Sequence, residues 1–101
     1  MMGRPPLEVL QNDQDWETLY GLLKIQATSE ECASYFDCSE DTLTDRIKQK
    51  HGLTFPELFR LKAGHGRVSL RRKQWQTALA GNPTMLIFLG KNHLGQADKM
   101  E

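Results

Sequence analysis

Only two cysteines, Cys32 and Cys38, occur among the 101 residues. Both fall at inward-looking positions of the segment they share, which reads as buried reduced thiols of a cytosolic protein. With only a distant His51 beside them, they do not make up a metal-ligand set. Long apolar runs are also missing. The longest is Met85–Leu89, far short of the roughly 20 residues that span a bilayer, so no membrane partner is expected. No charged-then-apolar leader opens the sequence, and no secretion signal is expected. There is no strand-like alternation, no internal repeat and no phosphate-cradling Gly loop. No His/Asp/Ser or Cys/His set has a nucleophile logic. These absences predict a chain with no active site and no cofactor. What is present, 39% hydrophobic and 26% charged residues, excludes disorder and predicts one small globular domain with a modest core.

A further absence is local. Residues 58–97 contain no acid at all, yet hold seven cations: Arg60, Lys62, Arg67, Arg71, Arg72, Lys73 and Lys91. Residues 1–57 hold five Lys/Arg against eleven Asp/Glu. The formal net charge of zero therefore hides an acidic part and a basic part with different jobs. The basic part is suited to phosphate, or to the acidic half of a neighbouring copy.

The segment Thr28–Lys50 organises the rest. Thr28 or Ser29 caps a first helix, with Glu30 and Glu31 in its first turn. Cys32, Ala33 and Phe36 share its inner face. Asp37-Cys38 breaks the pattern, and Asp37 tolerates the left-handed backbone that a tight turn there requires. Ser39 caps a second helix whose inward pair is Leu43 and Ile47 and which ends at Gly52. A small residue, a short turn and an apolar i, i+4 pair form the pattern of a helix-turn-helix. A helical hairpin that never touches DNA shares this pattern. The second helix also begins with Glu40 and Asp41 and carries Asp45, an acidic front for a groove lined with phosphates.

Elsewhere the chain reads as helix. Residues 1–14 are expected to be a loose arm, in which Gly3-Arg4-Pro5-Pro6 weakly resembles a minor-groove hook. Asp15–Ala27 forms a helix capped by Asp13 or Asp15, with Trp16, Leu19, Tyr20, Leu23 and Leu22 as its stripe. Thr54 and Glu57 match a capping box. Gly64 and Gly66, flanking His65, predict a kink or hinge, with a continuous helix as the alternative. Helix resumes over Arg67–Leu79, with Val68, Leu70, Trp75, Ala78 and Leu79 apolar and Arg71, Arg72 and Lys73 in a basic turn. That turn suits a solvated face, phosphate or a partner's acids. Asn82-Pro83 opens a last helix, limited by Gly90 and Gly95, that is apolar nearly all round. Such a helix needs burial on all sides, which favours an oligomer.

The stretches DWETL, SEECASYFDCSEDTL and SLRRKQWQTALAGNPTMLIFLGKNHLGQ resemble the small terminase subunits of tailed bacteriophages, over roughly residues 15–98. The resemblance implies an all-α, non-catalytic packaging protein in the host cytoplasm. It binds double-stranded viral DNA at the packaging start, assembles into a homo-oligomeric ring, and delivers the DNA to the large terminase subunit, which carries the ATPase and nuclease. It implies a flexible arm at 1–14, a helix-turn-helix DNA unit at 15–52, a helical oligomerisation core at 53–95 and a polar tail at 96–101. Thr42, Thr44, Arg46 and Lys48, with Arg67, Arg71, Arg72 and Lys73, are the implied DNA-facing residues. Leu70, Trp75, Leu79, Leu86 and Phe88 are the implied assembly residues. A small transcriptional regulator binding an operator as a dimer fits the same helix-turn-helix pattern.

Overall fold

A computed structural model describes residues 8–97, so the Gly3–Pro6 motif and most of the expected tail lie outside the described residues. Five α-helices and no strand occur among those residues: α1 (Asp13–Lys24), α2 (Ser29–Tyr35), α3 (Glu40–His51), α4 (Phe55–Leu79) and α5 (Pro83–His93). The chain divides into two compact units, Met1–Gly66 and Arg67–Glu101, with the division inside α4.

Local chemistry sets the helix ends in the first unit. The α1 cap is Asn12, whose side chain accepts from the Asp15 amide at 2.8 Å. Asp13 and Asp15, the caps expected from sequence, instead occupy the first turn, where the helix dipole favours carboxylates. The helix also stops at Lys24, short of Ala27, because Gln26 turns left-handed (φ 66°). The amides of Gln26 and Ala27 then bond back to the Leu23 and Leu22 carbonyls, a Schellman closure. Thr28 caps α2 in a reciprocal capping box with Glu31. A second Schellman closure ends α2: Asp37 sits at φ 57°, and the Asp37 and Cys38 amides bond to the Ser34 and Ala33 carbonyls. Asp fills the position where Gly is commonest because its short side chain tolerates this backbone. Ser39 caps α3, and Gly52 ends it at φ 68°. Thr54 and Glu57 form the box that opens α4, each amide donating to the other's side chain. These bonds to Thr54 hold the Glu57 carboxyl below its usual pKa.

The core of this unit joins α1, α2, α3 and the start of α4 through Trp16, Leu19, Leu23, Phe36, Leu43, Ile47 and Leu58. Val9 and Leu10 belong to the same cluster and are buried. The end of the expected loose arm is therefore a plug: two apolar side chains close the core ahead of α1. The first unit also reaches beyond residues 15–52, since Leu58 and Ala63 of α4 are buried as well.

Gly64-His65-Gly66, read as a kink or hinge, does not interrupt the helix: α4 is assigned as one helix of 25 residues through it. Gly66 serves a different purpose. A Cβ there would overlap the Lys24 carbonyl, so its bare Cα lets α4 pass close to the end of α1.

The second unit holds the remainder of α4 and α5. Gly81 reverses the chain at φ 104°, with the Gly81 and Asn82 amides bonded to the Ala78 and Thr77 carbonyls. Asn82 then caps α5 and Pro83 takes its first turn. Gly90 does not limit this helix; it lies inside it and is buried. Gly95 (φ 69°) follows the C-cap, Leu94. The buried apolar side chains of this unit, among the described residues, are Ala78 and Leu89.

Candidate functional site

The α2–α3 pair carries the first group of candidate residues. Ser29 Oγ donates to Glu40 Oε1 at 2.6 Å, so the first turns of the two helices lie together. Leu43 and Ile47 point into the core, and the opposite face of α3 is left to solvent. Thr44 and Lys48 are exposed on it. Thr42 is half-buried, and its hydroxyl oxygen accepts from Ser39 Oγ at 3.0 Å. Arg46 is half-buried and turned towards the protein: its Nε donates to the Val9 carbonyl and its Nη1 to Gln49, both at 3.2 Å. This guanidinium fastens the Val9–Leu10 plug onto α3. Nothing local in the sequence announces the bond, because its partners stand 37 positions apart.

A second cluster joins the ends of α1 and α3 to α4. Tyr20 Oη and His51 Nε2 are 2.7 Å apart. The His51 ring meets Trp16 edge-on with centroids 5.4 Å apart. Lys62 Nζ lies 4.1 Å from the Tyr20 ring centre, and Lys50 Nζ 5.4 Å from that of Trp16. Burial, with help from Lys50 and Lys62, lowers the His51 pKa and favours the neutral ring. In the tautomer with its hydrogen on Nδ1, the neutral ring accepts a hydrogen bond from the Tyr20 hydroxyl at Nε2. Burial, then Glu17 and Asp13, raises the Tyr20 pKa, which keeps the hydroxyl proton in place. The cluster therefore braces the three helices, with the Tyr20 hydroxyl and His51 Nε2 used on each other. Cys32 is buried; burial, then Glu31, pushes its thiol up to about 11, while Cys38 is half-buried. A thiol held protonated is a poor nucleophile and a poor metal ligand.

The second unit carries the rest. Arg67, Arg71, Arg72 and Lys73 are all exposed. Arg67 and Arg71 stand one turn apart and, with Leu70 of α4 and Phe88 and Asn92 of α5, line a groove of about 320 Å³. Arg72 is not part of that lining, and Lys73 lines a separate recess with Thr77 and Asn82. Trp75, Leu79, Leu86, Leu89 and Leu94 line another groove, of about 260 Å³. The Trp75 and His93 rings lie 6.0 Å apart beside it. All five residues expected from sequence to mediate assembly are exposed to a large degree, from Trp75 at 39% to Leu79 at 78%. The two groups of candidates thus lie in separate units. The chain matches no family model, no curated protein and no solved structure.

Among the described residues, no helix is long and apolar enough to cross a membrane, and no group of three or more His, Cys, Asp or Glu is placed to hold a metal ion.

Proposed function

We propose that this chain is a DNA-recognition and assembly subunit of the small-terminase kind. In this reading α2 and α3 form a helix-turn-helix and the second unit joins copies into a ring. The subunit binds double-stranded viral DNA in the host cytoplasm and passes it to a large subunit that holds the ATPase and nuclease. It has no reaction of its own.

One observation carries the reading. Leu70, Trp75, Leu79, Leu86 and Phe88 remain exposed on the same helical pair as four exposed cations. Apolar side chains on two helices that bury so few residues need a covering surface, and further copies supply one. Cations on the same pair suit phosphate. On α3, Thr44 and Lys48 are the residues free to face a duplex. Glu40, Asp41 and Asp45 on the same helix oppose phosphate, so a single copy grips weakly. Several copies on one duplex convert weak contacts into useful avidity.

Native mass measurement with and without duplex DNA tests this. The expected result is a closed assembly of more than two copies that retains DNA. Its affinity should fall as salt rises, since each neutralised phosphate contributes about −0.9 to the slope of log K against log salt. A dimer that selects a short operator would instead fit a transcriptional regulator. A stable monomer at working concentration would overturn the assembly half of the proposal. Binding that is absent or independent of salt would overturn the DNA half.

A further inference from the structure

The charge of this chain is divided between two surfaces of opposite sign. From Ile25 to Asp45 there are six acids (Glu30, Glu31, Asp37, Glu40, Asp41 and Asp45) and no Lys or Arg. The bond from Ser29 to Glu40 gathers the first turns of α2 and α3 into one edge. Glu30, Glu31, Glu40 and Asp41 are exposed along it. In the second unit, Arg67 and Arg71 flank Leu70 and face Phe88 across the groove. Residues 58–97 contain no acid to pair with them.

We propose that this groove receives the acidic α2–α3 edge of a second copy of the chain, so that copies join head to tail. Groove against groove, or edge against edge, would set like charges together, and both repel. Only the unlike pairing is complementary. With one such contact per pair, an edge and a groove stay free and addition continues until the assembly closes on itself, whereas a reciprocal two-fold exchange of edge for groove stops at two copies. DNA in the groove would satisfy Arg67 and Arg71, but it would leave the acidic edge unmatched and set Leu70 and Phe88 against phosphates. A second copy answers both surfaces at once. Arg72 and Lys73 lie off the groove and stay available to phosphate. The inference rests on the assembly half of the proposed function and is independent of DNA binding.

The test uses the full chain without DNA, read by native mass and sedimentation, with circular dichroism as a check on folding. Assembly should weaken at least about tenfold as salt rises from about 0.05 to 0.5 M, because screening removes the attraction between the surfaces. Arg67→Glu with Arg71→Glu, and separately Glu30→Lys with Asp41→Lys, should each give a folded chain that no longer assembles. Mixing the two should restore a complex containing both. If a reversed chain loses helicity, the neutral pairs Arg67→Gln with Arg71→Gln and Glu30→Gln with Asp41→Asn replace it; each should then assemble less and with a weaker salt dependence. Wild-type assembly that ignores salt would overturn the proposal. So would reversed chains that assemble normally, folded reversed chains that stay apart when mixed, or neutral pairs that change nothing. Arg72→Glu with Lys73→Glu should keep the wild-type mass and weaken DNA binding. If the wild type assembles as described yet binds no DNA, this inference stands and the DNA reading fails.

Discussion

In the first unit Leu19, Leu23, Phe36, Leu43, Ile47 and Leu58, drawn from three helices and the C-cap of α2, lose essentially all contact with water. In the second unit Ala78 and Leu89 are buried, while Leu70, Ile87 and Leu94 are each more than half exposed. Both units are helical and both carry bulky apolar residues. What separates them is the number of helices available to cover each face. Helices stacked in three or more directions enclose an apolar stripe from several sides, whereas a hairpin gives each helix one seam. An apolar helix in a hairpin must keep part of its surface bare until something else covers it. The first unit therefore covers its own apolar stripes, and the second leaves part of its own exposed.

The largest expected effect sharpens this contrast. Leu43→Ala empties a fully buried site and should cost about 2–5 kcal/mol in urea unfolding. Leu79→Ala, at a side chain 78% exposed, should change the stability of the unassembled chain by no more than about 0.5 kcal/mol while loosening self-association. Equal costs would erase the distinction between the units. A smaller effect is expected at the glycines. Gly66→Ala should destabilise by about 1–3 kcal/mol through its overlap with the Lys24 carbonyl, outweighing the gain in helix propensity. Gly21→Ala, with nothing within 4 Å of the added methyl, should instead stabilise by about 0.5–1 kcal/mol. If both glycines respond alike, the close passage of α1 and α4 is not a constraint.

A weaker effect is expected from pH. The His51 pKa is lower in the folded chain than its ordinary 6.5, so between the two values the unfolded chain binds more protons. Stability should accordingly be complete above about pH 6.5 and decline as pH falls through that value towards the folded one. His51→Gln should flatten this decline in unfolding curves taken from pH 7.5 to 5. The smallest effect leaves stability untouched: Cys38 should be alkylated by iodoacetamide well before Cys32, whose thiol is buried and raised to about 11. Mass mapping of partly alkylated chain reads that order directly.

Features that depend on neighbours a few residues apart were legible in the sequence. The Thr54–Glu57 box, the Ser39 and Asn82 caps and the left-handed Gly52 all hold, and of the two caps expected for α2 it is Thr28 that serves. So does the inward pairing of Leu43 with Ile47. Features that depend on distant segments were not. Val9 and Leu10 sit in a stretch with no periodicity, yet α3 reaches them through Arg46. Two glycines close together read as a hinge, because a helix interior gives no local reason for them. For Gly66 the reason is the Lys24 backbone, more than forty positions away in sequence.

The sequence by itself determined that the described chain is helical, where most helices begin, and that its charge is split into an acidic and a basic half. Capping, dipole and periodicity act over one or two turns, and charge is a matter of composition. Only the tertiary structure decided that α4 runs unbroken through its glycines, that Arg46 faces inward, and which apolar residues lack cover. Those outcomes depend on how many surfaces converge at a point, which chain order does not encode locally.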